Sequence, residues 1–324
     1  MTAMLKPEMW TTLEGSLAYQ RHVCDLCGAD EPREIECLRE YSGGQPIHVC
    51  LRCGLVYVVA RRPQAAINYE WESMYGDAYD PDSSEVAARH CYVGSEVQKV
   101  INWHGKSVID LGAGNGEFLE EISNKYGPDH DTLFAVEPTH KCCEALKERD
   151  IDHCNSTVEN FLYKYQAWDG GPDGKSHCVR QWDIATLLWT LENSVNPRDT
   201  LIAAREMVKP IGHLVVATGS RILVPFKKSL SSYIGPKNPA DTHPTRWSAN
   251  TLCGILTATG WKPVHINPHQ DSMYLVVIAT PAEPMMPTLP CDNSWHVEQY
   301  FMRWDADEKS RQALWGDERY YTGR

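Results

Sequence analysis

From Ser107 onward, short apolar runs alternate with stretches in which apolar positions recur at helical spacing. That alternation is the mark of a parallel sheet whose strands are joined by crossover helices. It predicts strands at 107–111 (SVIDL), 132–136 (TLFAV), 151–154 (IDHC), 183–188 (DIATLL) and 213–218 (HLVVAT). Helices are expected near 116–126, 139–148, 157–166, 197–208 and 247–259. The last two strands, 262–267 (KPVHIN) and 272–280 (SMYLVVIAT), are too close for a crossover helix, so they should pair antiparallel.

The chain before Ser107 has a different texture. Residues 20–60 carry only short β-like runs, such as Ile47-His48-Val49 and Leu55–Val59. A connector over 61–104 holds an aromatic patch (Tyr69, Trp71, Tyr75, Tyr79) and then a helix from Ser84 to about Trp103. Ser83 or Ser84 can cap that helix, with Glu85 in its first turn. Residues 281–324 begin Pro-rich and become aromatic and charged, which predicts a linker and one terminal helix that docks back. The expected divisions are therefore 1–60, 61–104, 105–280 and 281–324, an α/β core with a small N-terminal unit.

A length of 324 residues accommodates one large domain and a smaller one. No apolar run approaches the ~20 residues needed to span a membrane. The opening MTAMLKPEMWTTLEG has neither a basic nor an apolar signal region, so a cytoplasmic protein is expected. The formal net charge of −12 weighs against binding nucleic acid through phosphate neutralisation.

Of the twelve cysteines, Cys24, Cys27, Cys50 and Cys53 form two C-x-x-C-G motifs, and the rest are scattered through periodic segments. Each such turn points two thiolates at one cation, and two turns supply a closed tetrahedral S4 shell, the arrangement of a structural Zn2+ site. A single C-x-x-C can also do redox chemistry, but a matched pair is harder to explain that way. The ribbon so formed either recognises a substrate or partner, or staples a segment too small to own a core. Cys37, between the pairs, is not expected to be a ligand.

The strand Val108–Leu111 runs into Gly112-Ala113-Gly114-Asn115-Gly116, and a helix begins at Glu117. Glycines there let the backbone turn sharply and approach a ligand closely. The spacing is G-x-G-x-G, preceded by Asp110, rather than the G-x-G-x-x-G of dinucleotide folds. Glu137 closes the next strand, where a carboxylate can accept both hydroxyls of a ribose. Lys209-Pro210-Ile211-Gly212 then marks a helix stop leading into the fifth strand.

Over about residues 84–280 this chain resembles the class I S-adenosylmethionine (SAM)-dependent methyltransferases. The D-L-G-x-G-x-G loop, the acid ending the second strand and the K-P-x-G turn carry the resemblance, in order and spacing. It implies a Rossmann-like seven-stranded sheet with an antiparallel last strand, and SAM as cofactor. By the same resemblance Gly112, Gly114 and Asn115 line the methionine moiety, Glu137 takes the ribose, and Thr157 and Val158 lie by the adenine. Asp110, Ala113, Pro138, Trp189 and Thr190 complete the implied cofactor lining.

A narrower resemblance, over nearly 20–280, is to bacterial enzymes with an N-terminal zinc-binding domain, typified by the C-methyltransferases of nucleotide-linked deoxysugars. It rests on the ribbon followed by Gly54-Leu55-Val56-Tyr57, on Tyr75-x-x-x-Tyr79, and on the segment Asp241–Ser248. It implies that Tyr79 contacts the cofactor carboxylate, that Tyr75 walls the active site, and that the substrate is a sugar or nucleotide-linked sugar. The chain departs from this group after the fourth strand. Where relatives often carry a Glu-His pair, it reads Glu192-Asn193, and Asn193 cannot take up a proton.

Carbon methylation would then require Glu192, His243 or His269 as base, whereas oxygen methylation needs only modest assistance, with His243 the first candidate. Trp189 sits where the transferred methyl should emerge, as a wall for the acceptor or as core. Arg221, Lys227 and Lys228 either receive an anionic group or form a solvated run. The expected reaction is in-line methyl transfer from SAM to carbon or oxygen of a sugar or nucleotide-linked sugar, with oxygen or nitrogen of another small natural product as the alternative. A zinc-ribbon RNA methyltransferase is supported by the ribbon alone.

Overall fold

The computed structural model describes residues 19–64, 66–67, 72, 84–167, 181–219, 229–235, 241–270, 273–285 and 291–315. Strands β1 (Gln20–Arg21), β2 (Pro32–Glu34), β3 (His48–Cys50), β4 (Val56–Tyr57) and β5 (Ala60–Arg61) make up the N-terminal region. Helix α1 (Ser84–Gln98) leads to β6 (Val108–Leu111), α2 (Glu117–Tyr126), β7 (Leu133–Glu137), α3 (His140–Glu148), β8 (His153–Asn155) and α4 (Val158–Ala167). Then follow β9 (Trp182–Leu188), α5 (Pro197–Met207), β10 (Val208–Thr218), α6 (Leu230–Ile234), β11 (Thr245–Arg246) and α7 (Ala249–Ala258). The chain closes with β12 (Trp261–Ile266), β13 (Leu275–Pro281) and α8 (Ser294–Trp315).

Seven strands form one sheet in the order β12-β13-β10-β9-β6-β7-β8. Strands β10, β9, β6, β7 and β8 pair in parallel, and β13 runs antiparallel to both β10 and β12. This is the expected α/β sheet with its antiparallel closing hairpin.

The period-two alternation of β6 explains the layering. Val108 packs with Val93 and Val97 of α1 and Phe118 and Ile122 of α2. Ile109 and Leu111 face the other way, in the cluster that holds Phe161, Leu201 and Leu256 of α4, α5 and α7. Local chemistry sets the helix limits. Gly127, at φ 78°, ends α2 in the left-handed conformation, Pro197 occupies the first turn of α5, and Ser248 with Thr251 makes a reciprocal capping box at α7.

The K-P-x-G segment differs from expectation. It lies inside β10 as an irregularity: β10 advances from Val208 to His213 while β9 advances only from Trp182 to Ile184. A Cβ on Gly212 would lie 2.7 Å from the Asp183 carbonyl oxygen, so only glycine lets the bulge lie this close to β9.

The N-terminal region is not self-sufficient. Its sheet has the order β11-β4-β3-β2, so one edge strand comes from residues 245–246. Its apolar cluster joins Ile35, Leu38, Val49 and Val56 to Leu230 and Ile234 of α6 and to Val297, Phe301 and Trp304 of α8. The terminal helix does dock back, and it supplies core to a segment that could not build one alone.

Candidate active site

A cleft of about 470 Å3 opens at the C-terminal ends of β6, β7 and β9. In parallel sheets ligands bind at this end, where neighbouring crossovers leave on opposite sides. Here β6 lies between β7 and β9, so the cleft sits at the switch point.

The glycine-rich turn forms its floor. Gly112 (φ 83°), Gly114 (φ 56°) and Gly116 (φ 87°) are all left-handed. The Gly112 and Ala113 N–H groups donate to the Val136 carbonyl at 2.7 and 3.3 Å, tying the turn to β7. A Cβ on Gly112 would stand 2.5 Å from Thr190 Cγ2, so the turn passes directly against the loop after β9.

Glu137 faces the cleft at 5% exposure. Its two carboxylate oxygens accept the Gly114 and Thr139 N–H groups, each at 2.9 Å, which fixes its orientation. The Thr139 side chain bonds to it as well, and the carboxylate keeps acceptor capacity for a ligand hydroxyl. Burial pushes its carboxyl up, with hydrogen bonds from Thr139 and Gly114 opposing. Asp110, also buried, accepts the Thr186 hydroxyl at 2.6 Å, and desolvation pushes its carboxyl up to about 7.

The other wall is the loop from Trp189 to Ser194. Trp189 has φ 52°, a left-handed backbone that costs a bulky residue of order 1–3 kcal/mol. Two hydrogen bonds hold it there: its N–H donates to the Ala217 carbonyl at 2.7 Å, and the Asn193 side chain donates to its carbonyl at 2.9 Å. The Arg89 guanidinium lies 5.3 Å from the Trp189 ring centroid, and Tyr274 meets that ring edge-on at 6.4 Å. Asn193 therefore braces Trp189, a hydrogen-bonding role its amide can fill and no proton acceptor is needed for.

Glu192 is 6% exposed, and its Oε2 is buried without a hydrogen-bond partner. Burial pushes its carboxyl up to about 7, with the Thr218 hydroxyl, the Arg89 charge and the Gly219 backbone opposing. A carboxyl titrating near neutrality inside a ligand cleft is suited to taking up a proton.

The model of the methyltransferase domain matches residues 87–266, more than half of the chain. The chain belongs to the methyltransferase-domain family. Its core is the catalytic domain of a SAM-dependent methyltransferase. Among curated relatives, it is 29% identical over 161 residues to the mitochondrial ubiquinone biosynthesis O-methyltransferase of Schizosaccharomyces pombe, covering 48% of this chain and 55% of that protein. It is 27% identical over 183 residues to the ubiquinone biosynthesis O-methyltransferase of Photorhabdus laumondii, covering 53% of this chain and 70% of that protein. The chain thus spans little more than half the length of the yeast relative. The fold is similar to that of the Burkholderia thailandensis 1,6-didemethyltoxoflavin-N1-methyltransferase, solved with 1,6-didemethyltoxoflavin and S-adenosylhomocysteine. The TM-score is 0.50 at 15% identity, over 71% of this chain and 96% of that one.

Within the methyltransferase domain, the cleft gathers most residues the sequence pointed to. Asp110, Gly112, Ala113, Gly114, Glu137, Pro138, Thr157, Val158, Trp189, Thr190, Glu192 and His243 all line it. Asn115 does not, although it belongs to the same turn. His269 is exposed on the hairpin, 5.8 Å from the Tyr92 ring, and is outside the cleft lining, so it is not placed as a base there. Tyr75, Tyr79, Arg221, Lys227 and Lys228 lie outside the described residues.

The cleft also includes Arg89 and His90 of α1 and Met273 of the closing hairpin, which no motif announces. Burial pushes His90 down to about 4, leaving a neutral ring edge-on to Phe118 and a weak base. The available signal was positional: α1 packs on α2, and its residues 86–90 reach the cleft.

Away from the cleft, the Sγ atoms of Cys24, Cys27, Cys50 and Cys53 lie within 4.8 Å of one another. Cys24 and Cys53 are 3.4 Å apart, and Cys27 and Cys50 are 3.5 Å apart. A tetrahedral S4 shell at about 2.3 Å from a cation spaces its sulfurs by about 3.8 Å, so the cluster fits a zinc ribbon. Hydrogen bonding to Cys27 and the other two sulfurs pushes the Cys24 thiol up, while Cys24 and Cys27 pull Cys50 down. Four thiols this close cannot all ionise without a cation among them. Cys37 packs instead against the apolar cluster of the N-terminal region.

Proposed function

We propose that this protein is a SAM-dependent O-methyltransferase acting on a small hydroxylated molecule, with a structural zinc ion in its N-terminal ribbon. The carrying observation is Glu192: a buried carboxyl, pushed up to about 7, in the wall of the cleft beside Trp189. A hydroxyl needs only partial removal of its proton to attack a methyl donor, and a carboxylate of that strength is matched to the task. The O-methyltransferase names of the curated relatives point the same way.

SAM supplies the electrophilic methyl group, carried on a sulfonium. Gly112, Ala113 and Gly114 give its backbone-close seat, and Glu137, already oriented by Gly114 and Thr139, accepts the ribose hydroxyls. Thr157 and Val158, at the start of α4, flank the adenine. The acceptor lies against Trp189, with water kept out by the ring. Glu192 takes up the hydroxyl proton; His243, which also lines the cleft, is the second candidate. Tyr75 and Tyr79 keep the roles implied by the narrower resemblance, on that ground alone.

A sugar or nucleotide-linked sugar acceptor is the second reading. It is favoured by the segment 241–248, which both enters the cleft at His243 and supplies β11 to the ribbon sheet. The same stretch and the ribbon carry the resemblance to the sugar methyltransferases. The discriminating experiment incubates the protein with methyl-labelled SAM and two panels, phenols or catechols and nucleotide-linked sugars, and locates the label by NMR. Methyl on oxygen, lost in Glu192→Gln, supports the proposal. Methyl on sugar carbon moves the assignment to the second reading, and methyl on nitrogen rejects both.

A further inference from the structure

The ribbon and the cleft touch through a buried polar junction. Asp25 lies between the first pair of cysteines, and its carboxylate is bridged by Arg61, with Nη1 to Oδ1 at 3.1 Å and Nη2 to Oδ2 at 2.5 Å. The two side chains are only 1% and 4% exposed. Arg61 also donates from Nη1 to the Val195 carbonyl at 2.6 Å and from Nε to the Val58 carbonyl at 2.8 Å. From the other side, Arg198, in the first turn of α5, donates to the carbonyls of Asp25 (3.0 Å) and Leu26 (2.8 Å).

Val195 and Arg198 bracket the end of the segment that begins at Trp189 and carries Glu192 and Ser194 along the cleft wall. The other end is held by the Trp189 bonds to Ala217 and Asn193. The segment is thus pinned to the sheet at its start and to the cysteine knuckle at its finish. A staple for the N-terminal region alone would not require a buried guanidinium that reaches across to the loop after Glu192. Burying such a pair is expensive unless every donor is used, and three of its contacts lead to that one knuckle and that one loop.

We infer that Arg61 and Arg198 are positioning residues that fasten the Glu192-bearing wall of the cleft to the first cysteine knuckle. This rests on the proposed reading of the cleft as a SAM site and of the cysteines as a zinc site. Filling the knuckle with metal then sets how firmly the wall stands and how dry Glu192 remains. The charge of Arg89 on α1 acts on Glu192, and the other titratable side chains of the cleft lining are His90, Asp110, Glu117, Glu137, Glu159 and His243. None of these touches Asp25, so a change at the knuckle reaches Glu192 through the loop.

The test needs no acceptor. SAM carries a positive sulfonium and S-adenosylhomocysteine does not, so the ratio of their affinities reports the charge on the carboxyls of the cleft. In wild type this ratio should favour SAM more as pH rises, and the part of the rise that Glu192→Gln removes, leaving that of Asp110, should have a midpoint near 7. In Arg198→Ala and Asp25→Asn, water reaches the carboxyl and the midpoint falls by about one pH unit. S-adenosylhomocysteine affinity stays within about twofold of wild type. Hydrogen exchange over 189–196 should quicken about tenfold in both variants and on chelator treatment, with zinc content measured alongside.

Arg198→Ala removes only bonds to backbone carbonyls, so it stands as the interpretable variant if Asp25→Asn fails to fold. An unchanged midpoint and unchanged exchange, with only a lower melting temperature, would overturn the inference and leave the knuckle a staple. Failure of wild type to bind S-adenosylhomocysteine, or a wild-type ratio flat with pH, would instead count against the reading of the cleft.

Discussion

Ionising Glu192 in its buried position costs stability, and that gives a direct stability test. Its carboxyl titrates at 4.5 when solvated and at about 7 here, so the folded chain binds the proton more tightly than the unfolded one. The resulting stability is fully present below about pH 4.5 and is lost as pH rises through about 7. Asp110, moved from 3.8 to about 7 by burial, acts in the same direction. Glu192→Gln should match wild type at pH 5 and exceed it at pH 8 by about 2–3 kcal/mol, read from denaturant melts at the two pH values. Equal stability of the two proteins at pH 8 would show that Glu192 is not strained by its site. At this scale the sequence was uneven as a guide. Glycine spacing and the acids at strand ends announce themselves, because few residues meet those backbone demands. Arg89 and His90 were not legible: their place in the cleft depends on how α1 packs on α2, which no local pattern encodes. Asn193 was legible as a departure from relatives, but its bond to the Trp189 carbonyl required the strained turn to be seen.

Among the elements, α8 has the plainest consequence. Phe301 and Trp304 are 0% and 1% exposed, in the cluster that includes Ile35, Leu38 and Val49 of the N-terminal region. The Asp292 N–H donates to the Cys53 carbonyl at 3.0 Å, and a Cβ on Gly54 would lie 2.5 Å from the Asp292 carbonyl oxygen. The C-terminal segment therefore braces the second knuckle as well as the core beneath it. Phe301→Ala should cost about 3–5 kcal/mol and loosen the cysteine site. Zinc release to a colorimetric chelator should then run faster than in wild type. Release at the wild-type rate would show that the ribbon stands without α8. The strand-and-helix alternation of 107–280 was readable because β6, β7 and β9 are buried apolar runs while α2, α3 and α5 each bury one face. The K-P-x-G segment does follow the end of α5 at Met207, but the strand begins at once at Val208 rather than at 213, because a bulge within β10 and a turn use the same residues. The ribbon's borrowed strand, β11, was not readable: two residues paired across nearly two hundred positions leave no periodic trace.

As a whole the molecule joins the methyltransferase cleft to the cysteine ribbon through contacts between segments far apart in the chain. Residues 61 and 198, far apart in the chain, meet at Asp25, and the segment 241–246 ties the ribbon sheet to the cleft. Among the described residues, no helix is long and apolar enough to cross a membrane. The glycine turn and Glu137 are proposed to form the SAM site, and calorimetric titration of S-adenosylhomocysteine into wild type and Gly112→Ala decides it. One site per chain is expected in wild type, and binding at least about tenfold weaker in Gly112→Ala, because the added methyl meets Thr190 at a left-handed position. No heat of binding in the folded wild-type protein, or equal affinity in both, would contradict it.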